Sequence, residues 1–385
     1  MSTNILLTGG RAPVTLHLAR LFKEQGFRVF VAESEKIHLC KVSHSIEESF
    51  LVPKPNEDHE GYIQALCRII NKYNISLLVP TCEEIFHISI GKKIIEQTGC
   101  QVFCKDIHTL WKLHNKWEFY KLVKNYGYAP PPTTCVTSHK ELKDFLARKE
   151  EKVVIKPVYS RFGSQVYFYE KGDHVPHLSI SKERPWIVQD FVQGTQYCSY
   201  SVSSHGKLLA HSLYSTKYTA GPGATVFFQH IENVEIQKFV SRIVKQENFT
   251  GQIAFDFFID AQGRVYPIEC NPRSTSGIHL FDGNKEFALS FIKENNKMIT
   301  PAKDQAYMLG IPMLLYGVKS GTAIKHLPSF FKDFKGAKDV IFSKKDMKPF
   351  FYQIPVFFNI LRKAMKYKID LTAVTTMDIE WGENL

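Results

Sequence analysis

The chain has 385 residues and carries 49 Lys and Arg against 38 Asp and Glu, which gives a formal net charge of +11. This length predicts two or three domains, and a composition of 44% hydrophobic and 23% charged residues excludes a largely disordered chain. No apolar run approaches the ~18 residues needed to cross a bilayer, and the first residues lack the pattern of a secretion signal. We therefore expect neither a membrane partner nor secretion.

The eight cysteines are scattered along the chain and form no Cys-x-x-Cys pair. This spacing gives little support to a zinc site or a disulfide framework. Buried, reduced thiols are expected instead, which favours a cytoplasmic protein.

The first third of the chain alternates strand-like and helix-like runs. Strands are predicted over 4–7, 27–32 and 75–80, with helices over 13–25 and 62–73 between them. This alternation predicts a parallel α/β sheet.

The turn at residues 8–13 follows the first strand and opens the first helix, and Glu33 ends the second strand. An NAD site, and with it an NAD-dependent oxidoreductase, is therefore one alternative. However, the turn lacks the G-x-G-x-x-G spacing and Pro13 removes one amide.

Beyond residue 110 the pattern changes. A helix is predicted over 111–126 and is ended by three prolines at 130–132. Another helix is predicted over 234–246. Short β runs dominate this region, at 153–157, 166–169, 186–191, 198–203, 208–214 and in a hairpin over 252–269.

The hairpin carries two acidic residues in an apolar setting. If Ala261 and Gln262 form its loop, paired positions sum to about 523, so Asp256 faces Pro267 and Glu269 is the diagonal neighbour of Asp256 on the same face. Two carboxylates and the nearby amide oxygen of Asn271 are hard ligands suited to Mg²⁺ that also binds phosphate. A solvated hairpin face is the alternative.

Lys156 lies near the end of the β run 153–157, and residues 160–165 follow as a loop. A lysine in this place can neutralise a nucleotide phosphate, and loop amides can cover one. A merely solvated lysine is the alternative interpretation.

Taken in chain order, these features resemble the ATP-grasp superfamily, in its carbamoyl-phosphate-synthase-like branch of carboxylate ligases. Residues 115–119 and 127–132 are similar to the segment that holds the first nucleotide lysine, Lys116, and to its Gly/Pro exit. Residues 187–194 resemble the hinge whose backbone contacts adenine. The most specific resemblance is Asp256 with Glu269-Cys270-Asn271-Pro272-Arg273, an E-x-N-P-R ending.

The resemblance implies α/β architecture followed by α+β architecture. A Rossmann-like preATP-grasp domain is expected over 1–110, and a two-lobed ATP-grasp fold after it. The expected small lobe covers 111–193, the large lobe 194–300, and a basic C-terminal segment over 301–385 packs on the core.

The resemblance also implies ATP and one or two Mg²⁺ ions as cofactors. The implied metal ligands are Asp256, Glu269 and Asn271, and the implied catalytic residues are Arg273 and Lys156. Two departures from the family pattern are Gln196, where an acid normally binds ribose, and a phosphate loop with a single glycine. The implied nucleotide contacts are Lys116, Lys156, Arg161, Gly163, Ser164, Gln189, Asp190, Phe191, Val192 and Gln196.

The implied reaction activates a small carboxylate as an acyl phosphate, which an amine then attacks. Attack by the thiol of an acyl carrier protein remains an alternative. Substrate contacts are expected from Lys217, in the Gly-rich stretch 217–223, and from Ser274, Ser276 and His279.

Residues 332–368 contain ten Lys and Arg against three Asp, so this segment supplies +7 of the net charge. An acidic protein partner at this segment is one expectation, and a homodimer is compatible with the sequence. No nucleic-acid partner is expected, because the positive charge is local and such a function does not need the acidic hairpin.

Overall fold

The computed structural model describes residues 3–159, 165–220, 224–294, 296–320 and 327–381. Two segments discussed above lie outside the described residues: 160–164, which includes Arg161, Gly163 and Ser164, and 221–223 of the Gly-rich stretch. None of the described helices is long and apolar enough to cross a membrane. The cysteines are all free thiols, five of them buried and three half-buried.

A parallel five-stranded sheet forms the N-terminal part, in the order β3-β2-β1-β4-β5. The strand–helix alternation predicted for this part is confirmed. Its strands are β1 Asn4–Thr8, β2 Arg28–Glu33, β3 Glu48–Leu51, β4 Leu77–Val79 and β5 Gln101–Val102. Its helices are α1 Pro13–Glu24, α2 His59–Tyr73, α3 Glu84–Ile90 and α4 Lys92–Glu96, and a short 3-10 helix covers Leu39–Val42.

The prediction of a single helix over 111–126 is wrong, because the helical conformation is interrupted at Asn115. Two helices are present, α5 Ile107–His114 and α6 Lys116–Asn125. Asn115 has extended backbone angles, and its side chain accepts hydrogen bonds from the N–H groups of Trp117 and Glu118. A side chain that satisfies the free N–H groups of a helix start fixes that start. Lys116 is consequently the first residue of α6.

A four-stranded antiparallel sheet follows, in the order β6-β9-β7-β8. Its hydrophobic side packs on α7 His139–Leu146, through buried residues that include Val153 and Ile155. The strands are β6 Thr133–Val136, β7 Val153–Pro157, β8 Tyr167–Tyr169 and β9 Trp186–Asp190.

A second four-stranded antiparallel sheet has the order β11-β10-β15-β16. Its strands are β10 Thr195–Ser204, β11 Lys207–Ser215, β15 Gly251–Ile259 and β16 Val265–Asn271. Between them lie β12 Thr219–Ala220, β13 Ala224–Thr225, β14 Phe227–Gln229 and α8 Val234–Gln246. The buried stripe of α8, including Phe239 and Ile243, packs in the same core as Phe255 and Phe257 of β15.

The register predicted for the 252–269 hairpin is wrong. Phe257 pairs with Pro267, and one residue further Asp256 pairs with Glu269, since a bulge shifts the register there. Pro267 therefore shares the face of Phe257 rather than that of Asp256. Asp256 and Glu269 are directly opposite each other, so the prediction that both lie on one face is confirmed.

The rest of the chain packs partly on β14, through the strand Ala306–Met308, and partly back on the N-terminal part. It comprises a 3-10 helix Ser276–Phe281, α9 Lys285–Leu289, β17 Ala306–Met308, α10 Gly310–Ser320, α11 Leu327–Gly336, β18 Ala337–Asp339, α12 Lys348–Tyr367 and α13 Leu371–Val374. Arg20 of α1 donates to Asp346, 3.0 Å away, just before α12. Trp381 stacks on Phe86 of α3, with ring centroids 5.9 Å apart.

Candidate functional site

Four charged side chains meet between the two antiparallel sheets. Asp256 and Glu269 project from the β15–β16 hairpin, Lys156 from β7, and Lys116 from the start of α6. Lys116 Nζ lies 3.5 Å from Glu269 Oε2, and both lysines are buried. We call these four residues the charge cluster.

The electrostatics of the charge cluster favour a bound cation and a bound anion. Burial, and then the negative charge of Glu269, raise the pKa of Asp256. Burial alone would raise the pKa of Glu269, but Lys116 and Lys156 hold it below its ordinary value. Burial, followed by the charge of Lys116, lowers the pKa of Lys156 to about 8 although both carboxylates oppose this shift. A cation beside the carboxylates and an anion beside the lysines would relieve these costs.

The alternation of β7 explains why Lys156 points to the charge cluster. Val153 and Ile155 face the hydrophobic core under α7, so Lys156 faces the opposite side of the sheet. There Lys156 Nζ donates to Gln189 Oε1 at 3.1 Å, and Gln189 Nε2 donates to Thr133 Oγ1 at 2.9 Å. The side chain of Gln189 thus orients the lysine, whereas the sequence indicated only a role for its backbone.

The residues predicted to form the hinge lie where β9 leads into β10. Asp190 pairs with Lys149 at 2.8 Å, and the Phe191 N–H donates to the carbonyl of Lys152. Val192 follows in this connection, and Gln196 is the second residue of β10, where its carbonyl accepts from the N–H of Thr216.

Gly194, in the same connection, has no space for a side chain. A Cβ there would lie 2.3 Å from the carbonyl oxygen of Ile259. The connection between the two sheets consequently runs directly against the hairpin that carries Asp256.

Asn271 lies on the same strand face as Glu269, two residues further along β16, and pairs with Ala254. Its Oδ1 accepts from Arg273 Nη2 at 3.3 Å. Two carboxylates and this amide oxygen fit Mg²⁺, which takes few protein ligands and completes its shell with phosphate and water. Among the described residues there is no cluster of three or more His, Cys, Asp or Glu suited to a metal ion, so a bound Mg²⁺ would depend on this smaller set.

Arg273 connects the hairpin to the N-terminal sheet. Its Nε donates to Glu83 Oε1 at 2.7 Å, and its Nη1 donates to the carbonyl of Ser274. Glu83 is buried in the loop after β4, at the carboxyl edge of the parallel sheet. Sequence reasoning missed Glu83, although acidic residues that follow a buried parallel strand are a usable signal, because ligands bind at that edge.

Two of the predicted substrate residues lie next to Arg273. Ser274 is buried, and Ser276 begins the 3-10 helix Ser276–Phe281. Lys217 instead pairs with Asp333 of α11 at 2.5 Å, outside the charge cluster.

His279 cannot contact a substrate, which corrects the sequence-based expectation. It is 1% exposed and lies with its ring edge-on to that of His17 and beside Phe228. Burial lowers the pKa of His279 well below its ordinary value. The residue is a neutral part of the core.

The N-terminal turn holds an ion-pair network at the position where a dinucleotide site was considered. The carboxylate of Glu33 accepts from the side chain and the N–H of Arg11 and from the N–H of Glu35. Arg11 also donates to Asp378, near the C-terminal end of the described chain, at 2.5 and 2.8 Å. Glu33 is therefore engaged in tertiary structure instead of facing a ribose.

Comparison with known proteins shows a similarity over the central part of the chain. Residues 113–277 match the ATP-grasp domain family, a span that includes the charge cluster and Arg273. This part of the chain is similar to that family, and the mixed fold class expected from the sequence is confirmed. The domain boundaries and the roles of the site residues stay predictions.

An uncharacterized protein of Methanocaldococcus jannaschii is 20% identical over 191 residues, which is 48% of this chain and 47% of that protein. The match thus spans about half the length of this curated relative. Among solved structures, N5-carboxyaminoimidazole synthetase from Staphylococcus aureus has a TM-score of 0.62 at 11% identity and covers 85% of this chain and 88% of its own. It has also been solved with ADP. An L-amino acid ligase from Bacillus licheniformis has a TM-score of 0.52 at 12% identity and covers 74% of this chain and 69% of its own. At these identities the likeness is one of fold.

Proposed function

We propose that this chain is an ATP- and Mg²⁺-dependent ligase that joins a small carboxylate to an amine through an acyl phosphate. The observation that carries the proposal is the charge cluster, in which two buried lysines and two half-buried carboxylates converge between two sheets. The names of the two structural neighbours, a synthetase and an amino acid ligase, support the same class of reaction.

In the first step, a substrate carboxylate oxygen attacks the γ-phosphorus of ATP, the bond to the β-phosphate oxygen breaks, and ADP leaves. Lys116 and Lys156 would hold phosphate oxygens through charge-assisted hydrogen bonds. Asp256, Glu269 and Asn271 would bind Mg²⁺, which neutralises charge on the phosphates of ATP.

In the second step, the amine nitrogen attacks the acyl carbon, inorganic phosphate leaves, and the nitrogen loses a proton. Arg273 is held by Glu83 and Asn271, so its guanidinium is positioned before substrate arrives. It would stabilise negative charge on the transferring phosphoryl group and on the tetrahedral adduct.

Phosphate release identifies the substrates. The full chain is incubated with ATP and Mg²⁺, and carboxylates are screened against amines and, separately, against thiols. Phosphate release that requires both a carboxylate and an amine, with an amide product detected by mass spectrometry, supports the proposal. A thioester product would show that the acceptor is a thiol and not an amine. The absence of phosphate release across a broad panel would count against a ligase.

The substitution Glu269→Gln tests the metal assignment. It removes one of the two carboxylates with little change in shape, and we expect turnover to fall by at least ~100-fold with an increased requirement for Mg²⁺. The control is Glu232→Gln, which removes an exposed carboxylate paired with Lys303 and should leave turnover unchanged. Full activity of the Glu269 variant at ordinary Mg²⁺ concentrations would refute the assignment.

A further inference from the structure

Helix α12 presents an apolar stripe to solvent. The stripe consists of Met347, which caps the start of the helix, and of Phe351, Ile354, Phe358 and Met365, with exposed fractions of 44, 58, 58, 62 and 66%. Their spacing of four, three, four and seven residues places them on one face of the helix. Five large apolar side chains in a row on a surface helix indicate a contact with something outside the chain.

The packing of α12 fixes this orientation. Its opposite side carries the buried residues Pro349 and Ala364, and Val356 packs on the hydrophobic core of the N-terminal part. Lys363, on that side, forms an ion pair with Glu35. The stripe is therefore turned outward by a helix that is anchored on its inner face.

Positive charge borders the stripe. Lys348, Arg362 and Lys366 are exposed and lie along one side of it, since two of them directly follow the stripe residues Met347 and Met365. Lys344 and Lys345 precede the helix, and Lys368 follows it. None of these six cations lies within 4.0 Å of a carboxylate in the described part of the chain. Asp346, the one acidic residue of 344–368, is bound by Arg20.

The charge and shape of this surface select one kind of occupant. A second copy of the chain would bring two strongly positive segments together, which is unfavourable. The stripe also protrudes from a convex helix, so a protein partner would need a matching groove, whereas lipid adapts to protruding side chains. Apolar residues on one face, bordered by Lys and Arg, are the pattern of a helix that lies in the plane of an anionic bilayer surface.

We propose that α12 binds the surface of an anionic phospholipid bilayer, with the stripe inserted among the acyl chains and the bordering lysines and arginine at the headgroup phosphates. A contact of this kind needs no membrane-spanning segment, so it departs from the sequence-based expectation of no membrane partner, which considered only a spanning run and a secretion signal. It is independent of the ligase reaction and would place the site near a membrane.

Vesicle co-sedimentation of the full chain tests this proposal. Two vesicle preparations are compared, pure phosphatidylcholine and phosphatidylcholine mixed with phosphatidylglycerol. We expect binding to the mixed vesicles that weakens with added salt, and at least ~10-fold weaker binding to the neutral vesicles. The variant F351S/I354S/F358S should reduce binding to the mixed vesicles by at least ~10-fold.

The matched control is L51S/F168S, which removes two comparably exposed apolar side chains outside α12 and should bind like the wild type. The variant K348E/R362E/K366E should lose the preference for anionic vesicles, which separates the charge from the apolar contribution. Circular dichroism verifies that each variant is folded.

Three results would overturn the proposal. One is the absence of vesicle binding by the wild type, and another is equal binding by the stripe variant and the control. The third is a dimer, measured by analytical ultracentrifugation, that the stripe variant dissociates while vesicle binding is unaffected.

Discussion

Lys156 is a buried ammonium group whose surroundings weaken its hold on a proton. Burial and the neighbouring charge of Lys116 lower its pKa from 10.5 to about 8, despite the attraction of Glu269 and Asp256. Between about pH 8 and pH 10.5, the folded state of the free protein thus binds fewer protons than the unfolded state. The contribution of this group to the free energy of unfolding therefore increases as the pH rises through that window. The affinity for a polyanion has the opposite dependence on pH and falls as the pH rises, because binding needs the protonated form of Lys156.

This opposition predicts how ATP binding depends on pH. We expect the dissociation constant for ATP to rise by roughly tenfold per pH unit above about 8, with proton uptake on binding in that range. Isothermal titration calorimetry in buffers of different ionisation enthalpy measures both quantities. Lys156→Arg retains its charge throughout and should lack the alkaline loss, so a loss of the same size in that variant would assign it to another group.

Asn115 illustrates, at the scale of an element, how one side chain places another. By capping α6 it ends α5 and makes Lys116 the first residue of the new helix. Its Nδ2 also donates to the hydroxyl of Tyr159 at 2.9 Å, directly before the segment 160–164. The break in the predicted helix is thus what positions one lysine of the charge cluster.

Removing the cap separates stability from function. We expect Asn115→Ala to lower the free energy of unfolding by about 1 kcal/mol, as for other helix caps, and to weaken ATP binding by roughly tenfold because Lys116 loses its position. Asn233→Ala is the matched control, since Asn233 caps α8 through the N–H of Ile236. It should be destabilised to a similar extent, as measured by urea denaturation, with unchanged ATP affinity. Equal affinities of the two variants would contradict the role given to the cap.

At the scale of the whole molecule, the last described residues return to the first turn of the chain. Arg11 bridges Glu33 and Asp378, all three of them largely or fully buried. Burial alone would raise the pKa of Asp378, but its hydrogen bonds and its ion pair with Arg11 hold that pKa below its ordinary value. The stability contributed by this carboxylate is therefore complete above its unfolded pKa and is lost as the pH falls through the lower, folded value.

Asp378→Asn should lower the free energy of unfolding by about 3 kcal/mol at neutral pH, because it leaves Arg11 with one buried partner fewer. The variant should also lose less stability than the wild type on acidification below about pH 4. Urea denaturation at several pH values measures both effects. Glu294→Gln, which breaks an exposed pair with Lys207, should change stability by less than ~0.5 kcal/mol. An acid dependence that is identical in the Asp378 variant and the wild type would contradict the argument.

Much of the architecture follows from local patterns that a sequence displays directly. The strand β7 and the helix α8 have the bounds expected from their apolar spacing, and the other predicted strands differ by only a few residues at their ends. Asp256 and Glu269 could be assigned to one hairpin face, since side chains alternate along any strand. The bulge between Asp256 and Phe257 could not, because the alternation of side chains along a strand does not show where an extra residue enters the pairing.

Contacts between distant segments were beyond prediction for a physical reason. Glu83 and Arg273 are 190 positions apart, and Arg11 and Asp378 are 367 apart, so no local pattern links them. His279 follows the E-x-N-P-R motif in sequence but turns into the core because Phe228 and His17 enclose it. Proximity to a motif along the chain does not determine the side to which a residue points.

The amino-acid sequence alone determined that the chain is an α/β protein with an acidic hairpin, two lysines at predictable places and a basic segment holding +7 of its +11 charge. Those features depend on composition and on periodicities of two or 3.6 residues, which act over a few positions. Only the tertiary structure decided that the two lysines and two carboxylates meet, and that the apolar stripe of α12 faces outward beside the basic residues. Burial and exposure depend on which distant surfaces pack together, and that is decided by the fold as a whole.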